Sequence, residues 1–170
     1  MKRSLIGLAT LVLFFNLLPV KEARAAAVDS AAFADGLQRI AGARTEKDYV
    51  DAAAYFERLP EADFAWLNKY YAALCYIQAS YKATADKQKD ALLDKAQPLI
   101  DKAFQLNPKE AELFVLQAFL YQSRIEVTPA LRGMSYSSTA DASLKKGTAI
   151  DDANPRAWSL MGYNVFHTPV

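Results

Sequence analysis

The chain holds 170 residues, 52% of them hydrophobic and 23% charged, with one Cys, one His and a formal net charge of +1. That length accommodates one domain or a short array of repeats, and it hides enough surface to need neither a disulfide nor a metal as a staple. One Cys excludes an internal disulfide, and one Cys with one His excludes a Cys/His zinc cluster.

Lys2 and Arg3 precede an apolar run from Leu5 to Val20, broken by Gly7, Thr10, Asn16 and Pro19, after which comes Lys21-Glu22-Ala23-Arg24-Ala25-Ala26-Ala27. A positive start, an apolar stretch and a small-x-small site at Ala23-x-Ala25 form the pattern of a secretory signal peptide. The run falls short of the roughly 20 apolar residues that span a bilayer. Residues 1–25 are therefore expected to be a cleaved leader and residues 26–170 the mature domain. No Cys stands near the cleavage site, which excludes a lipoprotein anchor. Cleavage takes away Lys2, Arg3, Lys21 and Arg24 against Glu22, so the 20 basic and 19 acidic residues become 16 and 18. No basic run longer than Lys145-Lys146 remains, so the electrostatic footprint of nucleic-acid binding is missing. The expected destination is the periplasm of a Gram-negative-type envelope, or the medium beyond it.

Downstream of the leader, apolar residues recur at helical spacing and no alternating strand pattern occurs. Helices are expected at about 29–43, 46–59, 61–82, 86–106, 109–126, 137–150 and 155–167. Thr45 offers an N-cap to the second helix, with Asp48 three residues on. Between the third and fourth, Ala79–Asp90 lacks Gly and Pro and should lengthen both. Asn107-Pro108 and Asn154-Pro155 each stop one helix and start another. The stretch Val127–Tyr136 is expected to be a loop insert with Leu131 and Met134 tucked inward. Paired in order, these helices give hairpins at about 29–59, 61–106 and 109–150 and an unpaired helix at 155–167.

Two residue series recur through this all-α chain. Trp158-x-x-Met161-Gly162-x-x-Val165 slides back 44 residues onto Phe114-x-x-Gln117-Ala118-x-x-Tyr121, and a further 45 onto Lys69-x-x-Ala72-Ala73-x-x-Tyr76. Ala52, Phe56 and Leu59 map at an offset of 44 onto Ala96, Ile100 and Ala103, and 46 residues later onto Ala142, Lys146 and Ala149. A hairpin cannot bury both apolar stripes alone, whereas stacked hairpins share one core. Ala73, Ala118 and Gly162 are expected at tight contacts between helices.

These residues resemble tetratricopeptide (TPR) repeats, whose first helix carries Trp-x2-Leu-Gly-x2-Tyr and whose second carries spaced Ala, Phe and Ala before a Pro. Trp158, Met161, Gly162 and Val165 match most closely, and Ala96, Ile100, Ala103 and Pro108 supply a second helix. The family's unit is about 34 residues and these units are longer, nearer the period of HEAT-type repeats. The Ala/Gly-x-x-Tyr spacing and the Asn-Pro boundaries favour the tetratricopeptide kind. The resemblance implies a right-handed helical-hairpin solenoid. It also reads the chain as a truncated member, because Val170 follows directly on a first-type helix.

The resemblance further implies a groove lined by the first helix of each unit. Carried over, its residues are Leu67, Tyr70, Leu74, Ile77 and Gln78, then Glu112, Val115, Phe119, Gln122 and Ser123, then Arg156, Ser159, Tyr163, Phe166 and His167. This is an apolar and aromatic strip with amide borders, suited to a peptide or helix unless the first helix, 29–43, fills it. A second candidate is the insert with Arg124, Arg132 and Tyr136. Trp66, Tyr70, Tyr71, Tyr76 and Tyr81 crowd one helix and suit either core or interface. Cys75 is expected to be buried and inert, and His167 has no catalytic companion. The expected function is a non-enzymatic exported scaffold for a protein or peptide partner, with no cofactor, metal or nucleic acid. The alternatives are a module that self-associates through its open C-terminal helix and a hydrolase using Glu61, Asp63, Asp151 and Asp152.

Overall fold

A computed structural model describes residues 20–60 and 65–167. Every regular element among them is an α-helix: α1 (Val20–Gly42), α2 (Glu46–Glu57), α3 (Ala65–Lys82), α4 (Asp86–Leu106), α5 (Ala111–Val127), α6 (Pro129–Ile150) and α7 (Pro155–His167). The expected leader lies outside the described residues through position 19, as do Glu61 and Asp63.

Local chemistry sets most of the boundaries. Thr45 Oγ1 accepts from the Asp48 amide at 3.2 Å and Asp48 Oδ2 accepts from the Thr45 amide at 2.9 Å, a reciprocal cap that opens α2. Asn154 Oδ1 accepts from the amides of Arg156 and Ala157, and Pro155 occupies the first turn of α7, where its missing N–H costs nothing. Asn107 closes α4, but α5 starts only after Glu110, which caps it; Pro108 belongs to the connection and not to a first turn.

One expected element is corrected. The stretch 127–136 is not a loop: Thr128 alone separates α5 from α6, and Pro129 begins α6. A Thr-Pro pair in this register opens a helix, because proline's fixed φ is already helical. Arg132, Tyr136 and Ala140 then share an inward stripe at four-residue spacing, which turns Leu131 and Met134 outward. They are 85% and 88% exposed, not tucked inward.

Consecutive helices pack in chain order, and α5 also packs against both α3 and α7. One core cluster gathers Phe56, Ala73, Ile77, Leu93, Ala96, Ile100 and Leu113, with Phe33, Leu37 and Ile40 of α1 packed against it. A second joins Val115 and Ala118 of α5, Ala140 and Leu144 of α6 and Ala157 of α7. Each large side chain fully buried in this way contributes about 1.5–3 kcal/mol.

The buried stripes correct the third member of the second series. Ala142, Lys146 and Ala149 are exposed, whereas Ala140, Leu144 and Gly147 are buried. Ala96, Ile100 and Ala103 therefore recur 44 residues on, the same offset that relates them to Ala52, Phe56 and Leu59. The packing of helix upon helix also leaves a regular trace in the hydrogen bonds. Tyr70–Glu112, Tyr81–Ser123, Glu46–Gln88, Asp90–Arg132 and Glu112–Asn154 are all bonded pairs 42 residues apart.

Small residues allow the closest approaches. Ala73 and Ala118 are fully buried as expected, but Gly162 is exposed and a Cβ there would meet nothing within 4 Å. Gly36 is the tightest: a Cβ would lie 2.5 Å from the Phe56 ring, itself buried and stacked on Tyr71 at 5.4 Å. Because that ring has no room to swing, Gly36→Ala is expected to lower stability by about 1–3 kcal/mol in urea denaturation. Unchanged stability would contradict the α1–α2 crossing.

Candidate functional site

A cleft of about 150 Å³ opens among α3, α5 and α7, lined by Trp66, Leu67, Tyr70, Tyr71, Leu74, Glu112 and Arg156. Positions 67, 70, 71 and 74 fall on one face of α3 because they follow helical spacing. Their rings brace one another: Trp66 meets Tyr70 edge-on at 6.4 Å and Tyr70 meets Tyr71 at 5.1 Å. Tyr71 is held from behind by Phe56 and by Phe33 of α1, with centroids 5.4 Å away in each case. The floor is thus a rigid aromatic surface.

Glu112, in the first turn of α5 where a carboxylate is favoured, ties the three helices together. Its Oε1 accepts from Asn154 Nδ2 at 2.6 Å and from Arg156 Nη2 at 2.8 Å, and its Oε2 accepts from the Tyr70 hydroxyl at 3.4 Å. Burial, reinforced by the Glu112 charge, pushes the Tyr70 phenol up, so it stays a protonated donor. The Glu112 partnership in turn holds the Arg156 guanidinium above its ordinary value. The Arg156 side chain remains 67% exposed at the rim.

The expected groove is brought together only in part. Tyr70, Leu74, Leu67, Glu112 and Arg156 meet in the cleft. Gln78 and Phe119 are half-buried further along the strip, where Phe119 stacks on Tyr81 at 5.9 Å and Tyr81 shares a 3.0 Å hydrogen bond with Ser123. Ile77 is fully buried in the core, and Val115 is closed off beneath α6 and α7. Gln122 is buried too, its amide donating to the Leu160 carbonyl at 3.0 Å. Ser159 is exposed, and Tyr163, 41% exposed, donates to Glu126. The side chains of Phe166 and His167 lie outside the described set. The described part of α1 packs along α2, with the Tyr55 hydroxyl donating to the Ala32 carbonyl, and adds nothing to the cleft lining.

The second candidate is a clamp between helices. Arg132 forms a two-pronged bond to Asp90 of α4 at 2.6 and 2.9 Å, Arg124 pairs with Asp94 at 2.8 Å, and Tyr136 stacks on Tyr121 at 5.7 Å. Both arginines are engaged inside the fold, which the expected loop could not have revealed. Trp66 and Tyr71 stood out in the sequence only as members of an aromatic crowd, and their four-residue spacing from Tyr70 and Leu67 was the signal that places them in the cleft. Asp151 closes α6 and its carboxylate accepts from the Ala153 amide, a capping role. No group of three His, Cys, Asp or Glu residues able to hold a metal occurs among the described residues. Compared with family models, curated proteins and solved structures, the chain matches none.

Two outcomes follow. Arg132 holds the Asp90 carboxyl below its ordinary value, so the pair's stabilisation is complete above about pH 4 and fades as pH falls through the folded-state value. Asp90→Asn should cost about 1 kcal/mol near neutrality, and thermal melts of variant and parent should converge as pH drops below about 4. Burial pushes the Cys75 thiol up to about 12, so the folded protein should resist iodoacetamide at pH 8 and react only when denatured. Rapid native labelling would contradict the packing of α3.

Proposed function

We propose that the chain is a helical-repeat scaffold of the tetratricopeptide kind, exported by its leader, which holds a protein or peptide partner and performs no catalysis. The observation that carries this reading is the cleft: three helices 42–45 residues apart in phase contribute to one aromatic pocket with an ion pair at its rim. Its volume suits a single apolar or aromatic side chain of an extended or helical segment. The guanidinium of Arg156 has donors beyond the one spent on Glu112 and faces solvent, so it can bond a carbonyl or carboxylate beside that side chain.

Support for the repeat architecture comes from the 44-residue recurrence of the buried stripe, the contacts of α5 with α3 and α7, and the bonded pairs at 42-residue separation. In such a stack the odd-numbered helices line one face and the even-numbered ones the other. Support for export is the leader pattern of residues 1–25 together with Ala23-x-Ala25.

Affinity capture from a cell-envelope extract tests the reading. The protein should retain a specific envelope polypeptide, and Trp66→Ala with Leu67→Ala should weaken that complex by about 2 kcal/mol, roughly thirtyfold. Retention of nothing above background, or equal retention by the variant, would contradict it.

A further inference from the structure

We infer that the cleft reads an acidic peptide: it takes one aromatic side chain of an extended segment together with an Asp or Glu side chain two residues away, whose carboxylate bonds Arg156. This rests on the partner-binding reading of the cleft and names the chemistry of the partner.

The cleft has spent its anionic acceptor and kept its donors. The Glu112 carboxylate is engaged inside the fold, accepting from Asn154 at 2.6 Å, from Arg156 at 2.8 Å and from the Tyr70 hydroxyl at 3.4 Å. Its side chain is 20% exposed against 67% for Arg156, so the charge this pair presents to solvent is the positive one. The guanidinium carries five N–H donors, of which those beyond Nη2 have no side-chain partner among the described residues. Trp66 Nε1–H and the Tyr71 hydroxyl likewise have no hydrogen-bond partner among the described residues. Thr128 Oγ1 is the one buried side-chain nitrogen or oxygen without a partner in that set. The Trp66 and Tyr71 groups are therefore reached by solvent, and both residues line the cleft. Arg156 is held above its ordinary value by Glu112 first and then by the Tyr70 and Tyr71 phenols, which places both phenols beside the guanidinium.

Spare donors, an occupied carboxylate and an outward positive charge are complementary to an anionic acceptor, and a guanidinium–carboxylate bond is of the stronger, charge-assisted kind. A Lys or Arg side chain could stack on the same rings, but it would meet the guanidinium of Arg156 at the rim and be repelled. The braced rings of Trp66, Tyr70 and Tyr71 accept an aromatic side chain by its edge or its face. In an extended segment the side chains at i and i+2 point the same way, about 7 Å apart along the chain. An aromatic residue seated on the floor thus carries an acidic side chain at i+2 or i−2 to the rim.

Titration of the nitrogen-15-labelled full chain, followed by nuclear magnetic resonance, tests it. The two tryptophans give two indole N–H signals. Trp158 Nε1–H, bonded to the Asp152 carbonyl at 2.7 Å, is the internal control for Trp66. The probe is the blocked peptide acetyl-Ser-Gly-Asp-Ser-Phe-Ser-Asp-Gly-Ser-amide, compared with versions carrying Asn or Lys in place of both Asp. The Asp peptide should move the Trp66 signal and not that of Trp158, and bind about fivefold more tightly than the Asn peptide. Arg156→Gln should abolish that preference while leaving the affinity for the Asn peptide unchanged, which also shows that the cleft is still folded; Arg156→Lys should retain part of it. Equal binding of the Asp and Asn peptides, or tighter binding of the Lys peptide, overturns the inference and leaves the cleft a peptide site of another preference. A preference for Asp that persists in Arg156→Gln also overturns it. A Trp66 signal that none of the peptides moves overturns both the inference and the reading of the cleft on which it rests.

Discussion

Close approach of helices at small side chains governs this structure. Where one helix crosses another, Ala52, Ala96 and Ala140, each 44 residues from the next, are almost completely buried. So are Ala73 and Ala118 on the facing helices. A larger residue at any of these points would hold the helices apart and strip contacts from the Phe56, Ile100 and Leu144 side chains that fill the space one turn away. The remaining order of the fold follows from that spacing. Consecutive helices packed in chain order, with α5 also against α3 and α7, bring side chains 42 residues apart within hydrogen-bonding distance.

The cleft is a consequence of the same stacking at one end of the odd-numbered helices. α3 contributes five aromatic and leucine side chains, α5 a carboxylate in its first turn and α7 a guanidinium in its own. Glu112 joins them by accepting from Tyr70, Asn154 and Arg156, so one carboxylate forms the polar wall of the cleft where the three helices meet. The Asn154 side chain does two things there, capping α7 with its oxygen and reaching Glu112 with its nitrogen.

Much of this was legible in the sequence, and the parts that were not have physical reasons. Helical spacing, the Thr45–Asp48 cap and the Asn154-Pro155 boundary are local signals, and the folded chain keeps them. Cys75 among small and apolar neighbours read as buried, and it is. The α5–α6 joint was misread because Thr-Pro with a nearby Gly is shared by loops and by helix starts, and only packing on α4 through Arg132 and Asp90 decides between them. The third stripe was placed two residues late because alanines at 142 and 149 imitate those at 140 and Gly147. Groove positions carried over from repeats of about 34 residues put Ile77, Val115 and Gln122 in the open, whereas Ile77 lies in the core, Val115 is covered by α6 and α7, and Gln122 is engaged by the Leu160 carbonyl. Glu112 as the tie among three helices was invisible, since its partners lie 42 residues to either side.

The most direct test of this account is a set of methyl–methyl nuclear Overhauser contacts in solution. Ala140 and Leu144 should show cross-peaks to Val115 and Ala118, and Ala142 and Ala149 should show none to α5. Cross-peaks from Ala142 and Ala149 in their place would shift α6 around its axis and contradict the 44-residue recurrence of the buried stripe.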